Sequence, residues 1–287
     1  MARAVVTGAS SGIGEMIARG LAERGHTVVL VGRSERRLAH ARDRIRAAAP
    51  GADLLLERAD LSLLAEVREL AKRLADAPAP DVVVSNAAVI APPGDVTAEG
   101  LHRGLVTNHL APYLLLRSLV RSIGDRAARF VVVGASPRGL ARTPVDLDDL
   151  NARDPAALGR PASFRPFIAY ARTKNMNTMF VYALARRLAG SRITVNGAHP
   201  GIIRDTGLGR DARGALKVFG AVLGPFSPRP AAGADTPVWL ATSAEAEGVS
   251  GRFFVRRKEV PTAPHTTDPG RCERLWAESA RLTSLPV

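Results

Sequence analysis

A doubly wound α/β fold, with a parallel sheet of about seven strands and helices on both faces, is predicted by three observations. Short apolar runs alternate with helical segments almost to the end of the chain. The first apolar run passes directly into a glycine-rich turn and an amphipathic helix. No linker-like break in composition divides the 287 residues, so one domain is expected.

The elements follow in order. Residues 2–7 form a short apolar strand, followed by Gly8, Ala9, Ser10, Ser11, Gly12, Ile13 and Gly14 and a helix to about Arg24. Strand, glycine turn and helix in this order open a dinucleotide-binding unit of the Rossmann type. Gly8 permits the tight turn, Gly12 lets the backbone approach a pyrophosphate, and Gly14 lets the helix pack closely. Ser10, Ser11 and Ile13 complete the cradle, and the helix N-terminus points its unpaired N–H groups at the phosphates. A second strand, Thr27–Val31, ends at Gly32 and Arg33. An acid there would bind a ribose 2′-hydroxyl; Arg33 instead suits a 2′-phosphate, which points to NADP over NAD. The alternative is that Arg33 only opens the next helix.

A third strand at Leu54–Arg58 leads to Asp60 and Leu61. Asp60 is a candidate acceptor for the adenine amino group and equally a cap for a helix beginning near Ser62. The fourth strand, Asp81–Ser85, ends at Asn86, Ala87 and Ala88, which are candidates to line the cofactor. A long helix from about Ala98 contains Asn108, a polar amide among apolar neighbours that implies a structural or catalytic hydrogen bond. The adjacent His109 is read as a surface or core residue, because nothing supplies partners for a catalytic base.

Tyr170 and Lys174 lie one helical turn apart on a common face. A phenol holds its proton to about pH 10, and a neighbouring ammonium makes it a usable proton donor or acceptor. By itself the spacing is equally that of a solvated pair. Preceded by a nucleotide site, it becomes a candidate proton-transfer centre.

Composition limits the alternatives. The formal net charge is +13, almost all of it arginine, with lysine only at 72, 174, 217 and 258. The arginines are scattered along helices rather than interleaved with aromatics, which argues for a solvated surface and against nucleic acid. No apolar run approaches the roughly 20 residues that span a bilayer. The N-terminus enters a strand at once, leaving no room for a signal peptide. Cys272 is the single cysteine, which excludes an internal disulfide and a cysteine metal site and fits a reducing cytoplasm; no metal is expected.

Together, TGASSGIG at 7–14, NAA at 86–88, Asn108, YxxxK at 170–174 and HPG at 199–201 resemble the short-chain dehydrogenase/reductase family. The strings VDLDDLN at 145–151, YARTKNMNTMF at 170–180 and EGVSGRFF at 247–254 are most similar to its retinol dehydrogenase and protochlorophyllide reductase branch. NAAV at 86–89 is similar to the protochlorophyllide reductases in particular.

The resemblance implies an oxidoreductase. Tyr170 would move the hydroxyl proton, while Lys174 would lower its pKa and bind the nicotinamide ribose. Asn108 would hold a relay water, and Pro200, Gly201, Ile202, Ile203 and Thr206 would approach the cofactor. Two positions depart from the family pattern. The serine expected after the fifth strand falls on Ala135, with Ser136 one residue beyond, and the threonine of PGxxxT falls on Asp205, with Thr206 next. A local bulge is expected to bring Ser136 into the site, with Gly134 making the shift cheap.

Residues 137–166 form a proline-rich insertion beside the tyrosine helix, leaving monomer and homodimer open. Residues 203–230 occupy the position of a substrate lid, or equally contain an ordinary packing helix at 214–223, and their apolar content favours a bulky hydrophobic substrate. The expectation is an NADPH-dependent ketoreductase, or alcohol dehydrogenase in reverse, acting on a hydrophobic carbonyl compound. Arginine bias suggests a GC-rich genome and secondary metabolism. The alternatives are an NADP-binding regulatory protein with impaired catalysis and a photochemical or ene-type reductase.

Overall fold

The computed structural model describes residues 2–201 and 229–287. Strands β1 (Arg3–Thr7), β2 (Thr27–Gly32), β3 (Leu54–Arg58), β4 (Val82–Ser85), β5 (Ala128–Val133), β6 (Ile193–His199), β7 (Phe253–Val255) and β8 (Lys258–Glu259) form one sheet. Its order is β3-β2-β1-β4-β5-β6-β7-β8, parallel except for the antiparallel pair β7–β8. The described sheet therefore has eight strands rather than about seven. The extra one is an exposed two-residue hairpin arm, with no apolar run to announce it.

Helices α1 (Gly12–Ala22), α2 (Glu35–Ala48) and α3 (Leu64–Asp76) alternate with the first strands. Then come a short turn α4 (Arg103–Leu105), a π turn (Val106–Leu110) and α5 (Ala111–Ile123). Among the described residues, the other α-helices are α6 (Pro137–Leu140), the long α7 (Arg165–Arg187), α8 (Pro230–Thr242), α9 (Pro264–Thr267) and α10 (Pro269–Thr283). The long helix expected from Ala98 starts at Arg103, because an isolated bridge from Val96 to His102 ties the preceding loop.

Strand alternation sends Ala4, Val6, Val28 and Leu30 to a core completed by α1, α2 and α8. Val5, Val29, Val31, Phe130 and Val132 face the other way, against α3, α5, α7 and α10. Both faces are covered, which is why the strands are continuous apolar runs. Each fully buried large side chain contributes about 1.5–3 kcal/mol.

The expected bulge at Gly134 is absent. β5 and β6 pair in register through Val133 and Ala198, and Gly134 N–H donates to the Ala198 carbonyl at 2.8 Å. The glycine is needed for packing: a Cβ on Gly134 would stand 2.9 Å from the Phe253 ring. Among the described residues, no helix is long and apolar enough to cross a membrane.

Candidate active site

The strand order reverses between β1 and β4, so the crevice beyond their carboxyl ends is the place where an open α/β sheet accepts a ligand. Gly8 and Gly12 take φ of +69° and +62°, which lets the chain turn from β1 into α1. A Cβ on Gly14 would lie 2.3 Å from the Gly8 carbonyl oxygen and 2.5 Å from Asn86 Nδ2. Ser11, at the N-cap of α1, makes no side-chain bond to the helix. Its hydroxyl instead accepts from Arg37 Nη2 at 3.2 Å. The first N–H groups of α1 are thus left without a serine cap, and the turn fits the pyrophosphate of a dinucleotide. Ser10 and Ile13 are partly buried in this turn.

Thr7 organises the junction. Its Oγ1 accepts from Asn86 N–H at 3.0 Å and Ala87 N–H at 3.1 Å, and its carbonyl accepts from Asn86 Nδ2 at 3.0 Å. Asn86 and Ala87 are therefore fixed against the glycine turn, with Ala88 following. Arg33 is exposed at the end of β2 and has no ion-pair partner among the described residues. Arg37, which the sequence reading passed over, places a second guanidinium on the loop. A basic residue one turn into the helix after β2 was the available signal.

Asp60 turns back on its own loop: its carboxylate accepts from Ser62 N–H at 2.9 Å and Ser62 Oγ at 2.7 Å. It does not cap α3, which begins at Leu64, two residues later than the sequence suggests. There the Leu64 N–H is held by Glu99 at 3.0 Å, a partner from a distant loop. Leu61 is buried in the core.

Asn108 sits in the π turn, 1% exposed. Its Oδ1 accepts from Val89 N–H at 2.8 Å, and its Nδ2 donates to the Val89 carbonyl at 2.9 Å and Thr173 Oγ1 at 3.0 Å. Thr173 in turn donates to the Tyr170 carbonyl at 2.7 Å. The side chain clamps the loop after β4 to the helix carrying the tyrosine. Thr173 was missed because its value lies in contacts rather than spacing.

Tyr170 and Lys174 share a face of α7, with the ammonium 5.7 Å from the phenol ring centroid. Lys174 is 3% exposed and donates to the Val133 carbonyl at 2.9 Å, which leaves two of its three N–H donors for a ligand. Burial lowers its pKa to about 8. Burial also raises that of Tyr170, and here the lysine does not reverse the effect. The tyrosine is therefore held in its protonated, donor form.

The structure does not bring Ser136 onto the tyrosine. Its hydroxyl caps α6, accepting from Gly139 N–H at 3.2 Å, and keeps its own proton to donate. Pro200 and Gly201 follow β6, with Gly201 at φ +90°. The preceding His199 is held neutral, its pKa lowered to about 4 chiefly by burial and further by Arg256. Ile202, Ile203, Asp205, Thr206 and nearly all of the expected lid lie outside the described residues.

The chain belongs to the short chain dehydrogenase family, whose model matches residues 2–145. Within it, the chain falls in the retinol dehydrogenase branch. It is 34% identical to Retinol dehydrogenase 14 of Homo sapiens, over 98% of this chain and 86% of that protein. It is 35% identical to a Streptomyces protein named as the daunorubicin C-13 ketoreductase DnrU, over 96% of this chain and 90% of that one. Among solved structures, an uncharacterized protein from Mycobacterium Paratuberculosis aligns with a TM-score of 0.76 and 27% identity, covering 100% of this chain and 96% of the other. The chain is thus an oxidoreductase of a family that uses nicotinamide dinucleotides.

Proposed function

We propose that the protein is an NADPH-dependent reductase of a bulky hydrophobic ketone or aldehyde, and catalyses the alcohol oxidation in reverse. The observation that carries this reading is the buried Lys174 beside Tyr170, its ammonium bonded to the Val133 carbonyl at the carboxyl end of β5. The bound cofactor supplies hydride to the carbonyl carbon. Tyr170 gives its proton to the carbonyl oxygen, and Lys174 stabilises the phenolate that remains. Asn108 keeps the Val89 loop and α7 at fixed spacing, while Ser136 or a neighbouring donor orients the carbonyl.

Preference for NADPH rests on Arg33, with Arg37 beside the glycine turn. Relatives named as dehydrogenases of retinol and polyprenol, and as a ketoreductase of daunorubicin, support a lipophilic substrate. The lone buried Cys272 supports a reducing compartment.

The test is oxidation of NADPH and NADH against a panel of ketones, quinones and aldehydes. Loss of a charge-assisted contact is worth about 1.5–3 kcal/mol, so Arg33→Asp is expected to reduce the NADPH preference by about 10- to 100-fold. Unchanged cofactor selectivity in that variant overturns the assignment.

A pH profile gives a second check. Lys174 is charged below its pKa of about 8 and neutral above it. Reduction needs the charged form, so kcat/KM is expected to fall as pH rises through about 8. In Lys174→Arg, charged throughout, that limb is expected to vanish. A wild-type profile flat across this range contradicts the role given to the lysine.

A second reading has one observation in its favour, the hydroxyl of Ser136 turned into the α6 cap. A chain that binds NADPH yet turns over no carbonyl would be a cofactor-sensing regulatory protein.

A further inference from the structure

The carbonyl chemistry leaves one buried polar cluster unused, directly behind Asn108. His109 is 0% exposed. Its Nδ1 lies 3.3 Å from Asn177 Oδ1 on α7, and its Nε2 lies 2.8 Å from Ser279 Oγ on α10. The ring is packed between Tyr113 and Phe180, with centroids 6.1 and 6.2 Å away. Burial lowers its pKa to about 4, so at working pH it is a neutral connector.

The two consecutive residues of the π turn engage one helix at two levels. Asn108 meets Thr173, and His109 meets Asn177 one turn further along α7. The other end of His109 rests on α10, which residues of α5 and α7 brace in turn. Tyr113 donates to the Trp276 carbonyl at 2.9 Å, Arg117 donates to the Pro286 carbonyl at 2.6 Å, and the Arg187 guanidinium lies 3.8 Å from the Trp276 ring centroid. A π turn departs from regular helical bonding and persists where its surroundings hold it. Here that surrounding is the pair α7 and α10.

We infer that His109 is a positioning residue, pinning the π turn between α7 and the C-terminal helix so that Asn108 holds the Val89 loop at a fixed distance from Tyr170. Two short chains of hydrogen bonds, joined through the backbone of residues 108 and 109, run from Ser279 through His109 to Asn177 and from Asn108 through Thr173 to the Tyr170 carbonyl. Nothing in this role requires His109 to titrate or to touch substrate. The catalytic readout rests on Tyr170 being the proton donor.

The full-length protein carrying His109→Phe keeps an aromatic ring and loses both bonds; His109→Gln retains an amide able to make one or both. The expected result for His109→Phe is a fall in kcat of about 10- to 100-fold, with NADPH binding and substrate KM within about twofold. The solvent deuterium isotope effect on kcat is expected to rise, and His109→Gln to recover most of the loss. An unchanged kcat overturns the inference, as does a loss matched by an equal loss of NADPH affinity. Hydrogen exchange provides the arm independent of turnover. Amides of 86–90 and 170–174 are expected to exchange faster in His109→Phe and in Ser279→Ala than in the wild type. Unchanged exchange there, with faster exchange confined to α10, overturns the inference even if no carbonyl is ever reduced. Wild-type protein that reduces no carbonyl defeats the proposed function alone. Should His109→Phe fail to fold, His109→Gln and Ser279→Ala carry both readouts.

Discussion

Replacing Tyr170 by phenylalanine is expected to lower kcat for carbonyl reduction by about 10²–10⁴-fold, the range a positioned proton donor supplies. The ring and its contact with Phe167, at a centroid distance of 6.1 Å, remain, so the site keeps its shape. Tyr170 is also a candidate cofactor-binding residue, yet NADPH affinity is expected to stay within about twofold, because the ring and the buried Lys174 ammonium remain. The size of the effect follows from the environment of the phenol. Burial holds it protonated, and the buried Lys174 ammonium is the charge positioned to stabilise the phenolate formed on proton transfer. Single-turnover kinetics with saturating NADPH separates this step from product release. A loss smaller than about tenfold would move proton donation to another group.

Gly14→Ala is expected to have the largest effect on binding. The new methyl would stand 2.3 Å from the Gly8 carbonyl oxygen and 2.5 Å from Asn86 Nδ2. The first neighbour is backbone in a turn, and the second is tied to the Thr7 carbonyl at 3.0 Å, so neither yields easily. Overpacking of this kind costs about 1–3 kcal/mol, or a Tm lower by several degrees in a protein this size. Because the displaced atoms line the turn proposed to cradle the phosphates, NADPH affinity is expected to fall at least about tenfold, read by fluorescence titration. Gly139→Ala is the control, since its methyl meets only Ser136, at 3.4 Å or more. Equal NADPH affinity in the two variants would contradict the cradle.

Local features were legible in the sequence. The glycine turn, the apolar strands and the Tyr170–Lys174 spacing each depend on residues within a turn of one another. They follow from backbone sterics and helical periodicity. What sequence missed is non-local. Thr7 reaches from the end of β1 to Asn86 and Ala87 beyond β4, Glu99 caps α3 from another loop, and Arg37 reaches Ser11 from α2. Gly134 was read as permission for a shifted backbone. Its actual constraint is the Phe253 ring, 119 positions further along, which no local pattern reports. Asn108 was legible as a polar group in an apolar setting, but its partners Val89 and Thr173 were not. His109 was read as core or surface; the fold puts it in the core, with polar partners on two helices.

The central claim is that the Tyr170–Lys174 centre reduces a hydrophobic carbonyl at the expense of NADPH. Its most direct measurement is cofactor oxidation by the wild-type protein, with NADPH and NADH in parallel, across hydrophobic ketones, quinones and aldehydes. Carbonyl-dependent NADPH consumption is expected, with a preference over NADH of about tenfold or more. Tight NADPH binding with no carbonyl-dependent turnover on any member of the panel would contradict it.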